Sequence, residues 1–306
     1  MKFAITFNGE REMGDLLGAY ASDLADVAFY PPSVRSVLQQ EGGAAEQAYA
    51  VRLHEFLGAA KNAGPALMAA FDALCVEDDR PTAERVAGLR DELVFYGRAY
   101  GVRMVRVSSP LDGRAIKAML PDVRVCCSAN MLVSSVQHLE QVRDFADLIV
   151  LDRDINPDLN AIREIRKRFD GEIRLLANEG CVYRCLNRIQ HLNRQSHGGG
   201  AAVGPLPCRA AIERDPTLER SPIIRPESVG RYADVADVLQ LETGPFATRV
   251  VATILEAYAT GVYQGRICDI VASPGVHACM DLPRGAPSAE TATPYDDLMS
   301  GKPSGA

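Results

Sequence analysis

Short apolar runs rich in β-branched residues alternate along this chain with longer stretches whose apolar residues recur at helical spacing. The runs are Phe3–Phe7, Asp26–Tyr30, Ala66–Phe71, Arg103–Val107, Val123–Cys127, Leu148–Leu151, Ile173–Ala177 and Val238–Leu241. Their near-continuous apolar character predicts strands buried on both faces, as in a parallel sheet covered by helices. Between the sixth and seventh runs, Ile162, Ile165 and Phe169 fall on one helical face, with Arg163, Glu164, Arg166 and Lys167 around the other. Val251, Ile254, Leu255 and Tyr258 repeat the pattern in the last long helix. Eight β/α units predict an α/β fold, a (β/α)8 TIM-type barrel. A doubly wound open sheet is the competing architecture. No Gly-x-Gly-x-x-Gly follows the first strand, so nothing supports a dinucleotide site.

The expected organisation is one barrel domain over residues 1–282 and a flexible tail over 283–306, rich in Pro, Ser, Thr, Gly and Ala. The connection from strand seven to strand eight, residues 180–237, is far longer than a loop and helix require, and reads as an insertion. Insertions of this kind decorate the face where barrel strands end, which is the catalytic face. This one contains Cys181, Cys185, His191, His197, the run Gly198–Gly200 and Cys208.

Composition narrows the function. The chain has 306 residues, 47% hydrophobic and 24% charged, with a formal charge of −7. That is the profile of a soluble globular protein, and the acidic balance with no basic block argues against nucleic acid as a partner. No apolar run is long enough to span a bilayer, and the first residues read as a strand, not a signal peptide. A cytoplasmic location follows, where eight cysteines point to metal binding or burial before disulfides.

Every predicted strand ends in polar residues: Asn8, Asp72, Ser108 with Ser109, Ser128 with Asn130, Asp152-Arg153-Asp154, Asn178-Glu179, and Glu242. In a barrel these ends converge on one pocket, although Asn130 and Asp154 also suit helix caps. Arg153 between two carboxylates and Glu179 beside a cysteine stand out, and Asp152, Arg153, Glu179 and Glu242 form the candidate catalytic set. The strongest local signal is Asn178-Glu179-Gly180-Cys181-Val182-Tyr183-Arg184-Cys185. Two cysteines four apart at a strand end can turn both sulfurs to one side. A radical-SAM triplet fails, because the third position is Arg188. Zinc on Cys181, Cys185, His191 and His197 and an iron–sulfur cluster completed by distant cysteines both stay open. For the cluster, the preferred set is Cys75, Cys181, Cys185 and Cys208, since Cys75 follows strand three. Cys126 and Cys127 alternate sides of strand five, so one belongs to the core; Cys127, Cys268 and Cys279 are substitutes for the fourth ligand. His54-Glu55 lacks the second histidine of a zincin helix, and neither a Gly-x-Ser-x-Gly elbow nor a phosphate loop appears.

The segments Leu151–Asn156, Asn178-Glu179-Gly180-Cys181-x-x-x-Cys185, His191-Leu192-Asn193, Ser196-His197, Ile224–Val229, Ala257-Tyr258 and Gly261–Gly265 together resemble the peptidase U32-like superfamily. Phe71-Asp72-Ala73-Leu74-Cys75 is similar to that family's segment after the third strand. The resemblance implies a barrel carrying a four-cysteine [4Fe–4S] cluster. It implies either collagenase-like peptidase activity or oxygen-independent hydroxylation, as in relatives acting in ubiquinone synthesis and on RNA bases. Leu186 replaces a proline of the pattern, and Leu241-Glu242-Thr243-Gly244 stands where a lysine is expected, which alters the charge of the pocket floor. The favoured expectation is an iron–sulfur enzyme that hydroxylates a small molecule or modifies it by related redox chemistry. In it the carboxylates move protons and Arg153 holds an anionic group. A peptidase and a non-catalytic iron–sulfur subunit of a heterodimer are the alternatives, the latter with Tyr295-Asp296-Asp297 in the tail as a partner contact.

Overall fold

Each of the eight apolar runs forms a strand in a computed structural model of the chain, which describes residues 1–34, 44–73, 83–196 and 222–272. The strands are β1 (Lys2–Thr6), β2 (Leu24–Phe29), β3 (Ala66–Phe71), β4 (Met104–Val107), β5 (Arg124–Cys127), β6 (Leu148–Leu151), β7 (Glu172–Leu176) and β8 (Val238–Gln240). They pair in parallel in chain order, and β1 pairs with β8 to close the barrel. Closure leaves no edge strand and gives each strand two buried faces, which is why the runs read as continuously apolar.

The helices form the outer layer: α1 (Met13–Tyr20), α2 (Ala44–Ala60), α3 (Ala83–Tyr100), α4 (Pro110–Met119), α5 (Val136–Glu140), α6 (Leu159–Arg166), α7 (Arg188–Ser196) and α8 (Thr248–Thr260). Ile5, Val27, Val105, Ile149, Leu175 and Leu239 face them in one continuous core. In α6, Asp158 caps the first turn by accepting from the Ala161 N–H at 2.9 Å, and Ile162 and Ile165 are buried. Phe169 lies beyond the helix end, so its burial belongs to the following turn and not to the predicted helical face. The face predicted for α8 is as expected, with Val251, Ile254, Leu255 and Tyr258 all buried, and the helix stops at Gly261 in the left-handed region (φ 69°).

Close packing under the helices sets limits on substitution. Gly113 in α4 is buried against Phe145, and a methyl group there would overlap the ring. Gly113→Ala is expected to destabilise the fold by about 1–3 kcal/mol despite alanine's better helix propensity, measurable as a lower denaturant midpoint.

The barrel interior holds a smaller apolar set: Ala28, Met68, Met104, Cys126, Leu148, Val150 and Leu176. Polar groups share that interior. Arg174 of β7 meets Asp26 of β2 at 2.6 Å, with both side chains 1% exposed. Asp26 lies in register with Ala4 and Ala66, whose small side chains leave room for the guanidinium.

The long connection after β7 contributes α7 and a 3-10 helix (Pro226–Tyr232) to the described structure; residues 197–221 and the tail from 273 onward lie outside the described residues. Its return is anchored by the Ile224 N–H donating to Ala177 O at 2.8 Å and the Tyr258 hydroxyl donating to Ile224 O at 2.7 Å. No helix among the described residues is long and apolar enough to cross a membrane.

Candidate functional site

The strand ends do converge, and their side chains form a chain of buried ion pairs around the barrel mouth. Arg106 points inward from β4 and is 2% exposed. Its Nε donates to Asp72 Oδ2 at 2.6 Å and its Nη2 to the Tyr30 hydroxyl at 3.3 Å. Ser128 adds a hydrogen bond to Asp72 Oδ2 at 3.2 Å. Arg153, also 2% exposed, is paired with Glu179. Arg188, at the start of α7, reaches back to Asp152 Oδ1 at 3.3 Å and to Asp154 Oδ1 at 2.9 Å. It also donates to Val182 O at 2.9 Å, which ties the cysteine turn to the end of β6.

Glu242 is set into this ring by Asn178. The fully buried Asn178 accepts from the Glu242 N–H at 2.7 Å and donates to the Glu242 carbonyl at 3.1 Å. Thr243 holds the same segment to β1, with its hydroxyl donating to Thr6 O at 2.6 Å and accepting from Thr6 N–H at 2.8 Å. The Glu242 carboxylate accepts only the Gly244 N–H, at 3.0 Å through Oε1, and forms no ion pair among the described residues. It is partly exposed yet lies deep among protein atoms, as a group at the floor of a pocket does. Burial pushes its carboxyl up to about 7; Arg106 and the Gly244 N–H oppose this, and Glu179 and Asp72 add to it. A carboxyl that gains and loses a proton near neutrality suits general acid–base chemistry.

The thiol turn lies next to the ring. Cys181 is buried, and Cys185 is partly exposed and donates its N–H to Val182 O at 3.3 Å. Burial pushes the Cys181 thiol up, and Arg188 offsets part of that rise. Arg184 between the two cysteines takes a positive φ of 52°, which folds the turn back, and its N–H donates to Asp154 Oδ1 at 3.1 Å.

Against these positions the sequence-based set divides. Asp152, Arg153, Glu179 and Glu242 all come to the mouth. Arg153 is committed to Glu179, so it offers no unneutralised charge for an anionic group. Asn130 and Asp154 are not the caps; Ser128 and Asp152 are, accepting from the Asn130 N–H at 3.3 Å and the Asp154 N–H at 3.3 Å. Cys126 and Cys127 are both core, the first inside the barrel and the second in the layer under the helices, which removes Cys127 as a ligand. Cys75, Cys208, Cys279 and His197 lie outside the described residues, as does the side chain of Cys268. Of the four preferred ligands, the described residues contain Cys181 and Cys185, and no described group of three or more His, Cys, Asp or Glu could hold a metal.

Arg106, Tyr30 and Arg188 are the site residues that the sequence does not single out. The available signal for Arg106 is a lone charge inside an apolar strand, Met104-Val105-Arg106-Val107.

No protein-family model matches the chain. The curated "Uncharacterized protease MJ1657" of Methanocaldococcus jannaschii is 27% identical over 184 residues, which is 57% of this chain and 54% of that protein. The match thus spans about half of that relative's length. The structure titled "The Structure of the U32 Peptidase Mk0906" shares the fold, with a TM-score of 0.58 at 16% identity over 79% of this chain and 93% of that one. The chain is thus similar in sequence to a protein named as a protease and in fold to a U32 peptidase. In this chain, the ring of ion pairs and the thiol turn are the features that bear on chemistry.

Proposed function

We propose that the chain is an enzyme that modifies a small molecule at the barrel mouth by oxygen-independent hydroxylation or related redox chemistry. In this reading Cys181 and Cys185 are two ligands of a [4Fe–4S] cluster, and Cys75 and Cys208 supply the others. One observation carries it: Asn178 fixes the backbone of Glu242 and leads directly into the segment bearing Cys181. The proton-carrying carboxylate and the thiol turn are therefore built on one frame.

A cluster bound there would supply one-electron transfer. The chain's own residues would supply the rest. Placing the oxygen of water on a carbon in place of hydrogen releases two protons and two electrons; the electrons require an external electron acceptor, and Glu242 is the group able to take a proton near pH 7. Tyr30 and Arg106 can donate hydrogen bonds to the substrate, while Asp72 and Ser128 hold Arg106 in position. The Arg153–Glu179 and Arg188–Asp152–Asp154 pairs keep the thiol turn against the mouth.

The names of the sequence relative and the solved structure favour a second reading, a peptidase. The mouth gives it less support. Ser128 hydrogen-bonds to a carboxylate already neutralised by Arg106, a weak base, and burial works against a Cys181 thiolate nucleophile. Zinc on the same turn, with His191 and His197, is the alternative metal.

Anaerobic purification of the wild type and of Cys181→Ala/Cys185→Ala, with iron, sulfide and zinc quantified, separates these readings. The expected result is iron and sulfide in matched amounts, with a broad visible absorbance that the double variant loses. Zinc alone, or no metal in strictly anaerobic protein, combined with peptide cleavage that survives the double substitution, would establish the peptidase reading instead.

A further inference from the structure

We propose that the barrel mouth selects a cationic substrate, one that presents a protonated nitrogen to Glu242, and excludes anions. This deepens the proposed function, since it rests on the mouth being the substrate site.

Charges around the ring do not balance. Three guanidiniums, Arg106, Arg153 and Arg188, face five carboxylates, Asp72, Asp152, Asp154, Glu179 and Glu242. Every arginine is matched: Arg106 with Asp72, Arg153 with Glu179, and Arg188 with both Asp152 and Asp154. Asp152 and Asp154 share one guanidinium, and Glu242 is the carboxylate with no ion pair among the described residues. Its Oε1 accepts the Gly244 N–H at 3.0 Å, and its Oε2 has no hydrogen-bond partner among the described residues.

Position makes this surplus matter. Asp72 and Glu179 raise the cost of ionising Glu242, and the Arg106 guanidinium opposes them. A buried guanidinium already paired with Asp72 cannot also neutralise Glu242. An anionic ligand would add a further negative charge beside carboxylates already in surplus, and like charges repel. A cation beside Oε2 would give Glu242 its own counter-charge and halve the surplus of the ring. Arg106 Nη1 makes no hydrogen bond among the described residues, so a neutral carbonyl or hydroxyl oxygen on the same molecule could also be held without adding charge.

The group that titrates here is Glu242, and a bound cation favours its ionised form. Binding near neutral pH should therefore expel a proton from the protein.

Three probes of one shape and different charge test this: benzamidinium, benzamide and benzoate, titrated calorimetrically into the anaerobically prepared full chain at pH 7 in phosphate and in Tris. Benzamidinium is expected to bind at least about tenfold more tightly than benzoate. Its heat should differ between the two buffers, which reports the released proton. In Glu242→Gln the preference should shrink to about twofold and the proton release should vanish. Benzoate binding as tightly as benzamidinium, or a cation preference that survives Glu242→Gln, would overturn the inference. The buffer comparison needs only the wild type, so it remains decisive even if that variant folds poorly. No binding by any probe overturns the mouth as a substrate site while leaving normal iron and sulfide content as independent support for the cluster. Cation preference in a protein that holds no iron would overturn the cofactor reading alone.

Discussion

Glu242→Gln is expected to stabilise the protein at pH 8.5 by about 2 kcal/mol, to leave its stability unchanged at pH 4, and to lower turnover about 10²–10⁴-fold. The stability effect follows from where the proton is held. The carboxyl titrates at about 7 in the folded chain, against an ordinary 4.5. The folded state therefore binds this proton more tightly than the unfolded state, and the protonated form favours folding. That advantage is complete below about pH 4.5 and is lost as pH rises through about 7, because the folded protein must then carry an ionised carboxylate at the pocket floor. A shift of this size corresponds to about 3 kcal/mol, reduced to about 2 because water reaches the pocket. Glutamine keeps the shape and removes the ionisation. Denaturant midpoints of both proteins at the two pH values provide the comparison. A stability difference independent of pH would mean that Glu242 ionises normally, and it could then not serve as a proton carrier at neutral pH.

Much of this architecture can be read directly from the pattern of apolar runs, for a physical reason. Parallel barrel strands are covered on both sides, so they need apolar residues at nearly every position, and eight such runs leave few alternatives. The strand-end residues Asp152, Arg153, Glu179 and Glu242 are legible for the same topological reason. What sequence does not reveal is which charge meets which. Arg106 and Asp72 come from different strands, and only the register Phe71↔Val107 brings their ends together. Arg106 and Arg174 are charges set inside otherwise apolar strands, and both are buried in ion pairs with residues of other strands or strand ends. Arg153 reads as available between two neighbouring carboxylates, but its partner is Glu179, beyond the end of the next strand. The caps sit two residues before Asn130 and Asp154, because a side chain caps the N–H two residues ahead of it and both segments offer polar groups at either place. Cys126 and Cys127 show a further limit. Alternation puts them on opposite faces of β5, but in a closed barrel both faces are core.

The pair buried at the other level of the barrel interior should behave oppositely to Glu242. Arg174→Met is expected to destabilise the fold by about 3–5 kcal/mol at neutral pH, because it leaves the Asp26 carboxylate enclosed without its guanidinium. Asp26 and Arg174 are each 1% exposed, and Glu172, the second partner of Arg174, is tied at 2.6 Å and would lose its cation as well. Replacing both partners, as Asp26→Leu/Arg174→Met, should recover most of that loss, since leucine and methionine can fill the space beside Ala4 and Ala66 with no charge to desolvate. A double-mutant cycle on urea midpoints measures the coupling. A double variant as unstable as the sum of its two single variants would show that each residue acts separately, through its shape and local packing. Recovery would show that the pair is held by mutual compensation, so a barrel of this sequence type can close around an apolar layer at that level. The charged ring above it would then be what the interior keeps for chemistry, because there Glu242 is left without a cation of its own among the described residues.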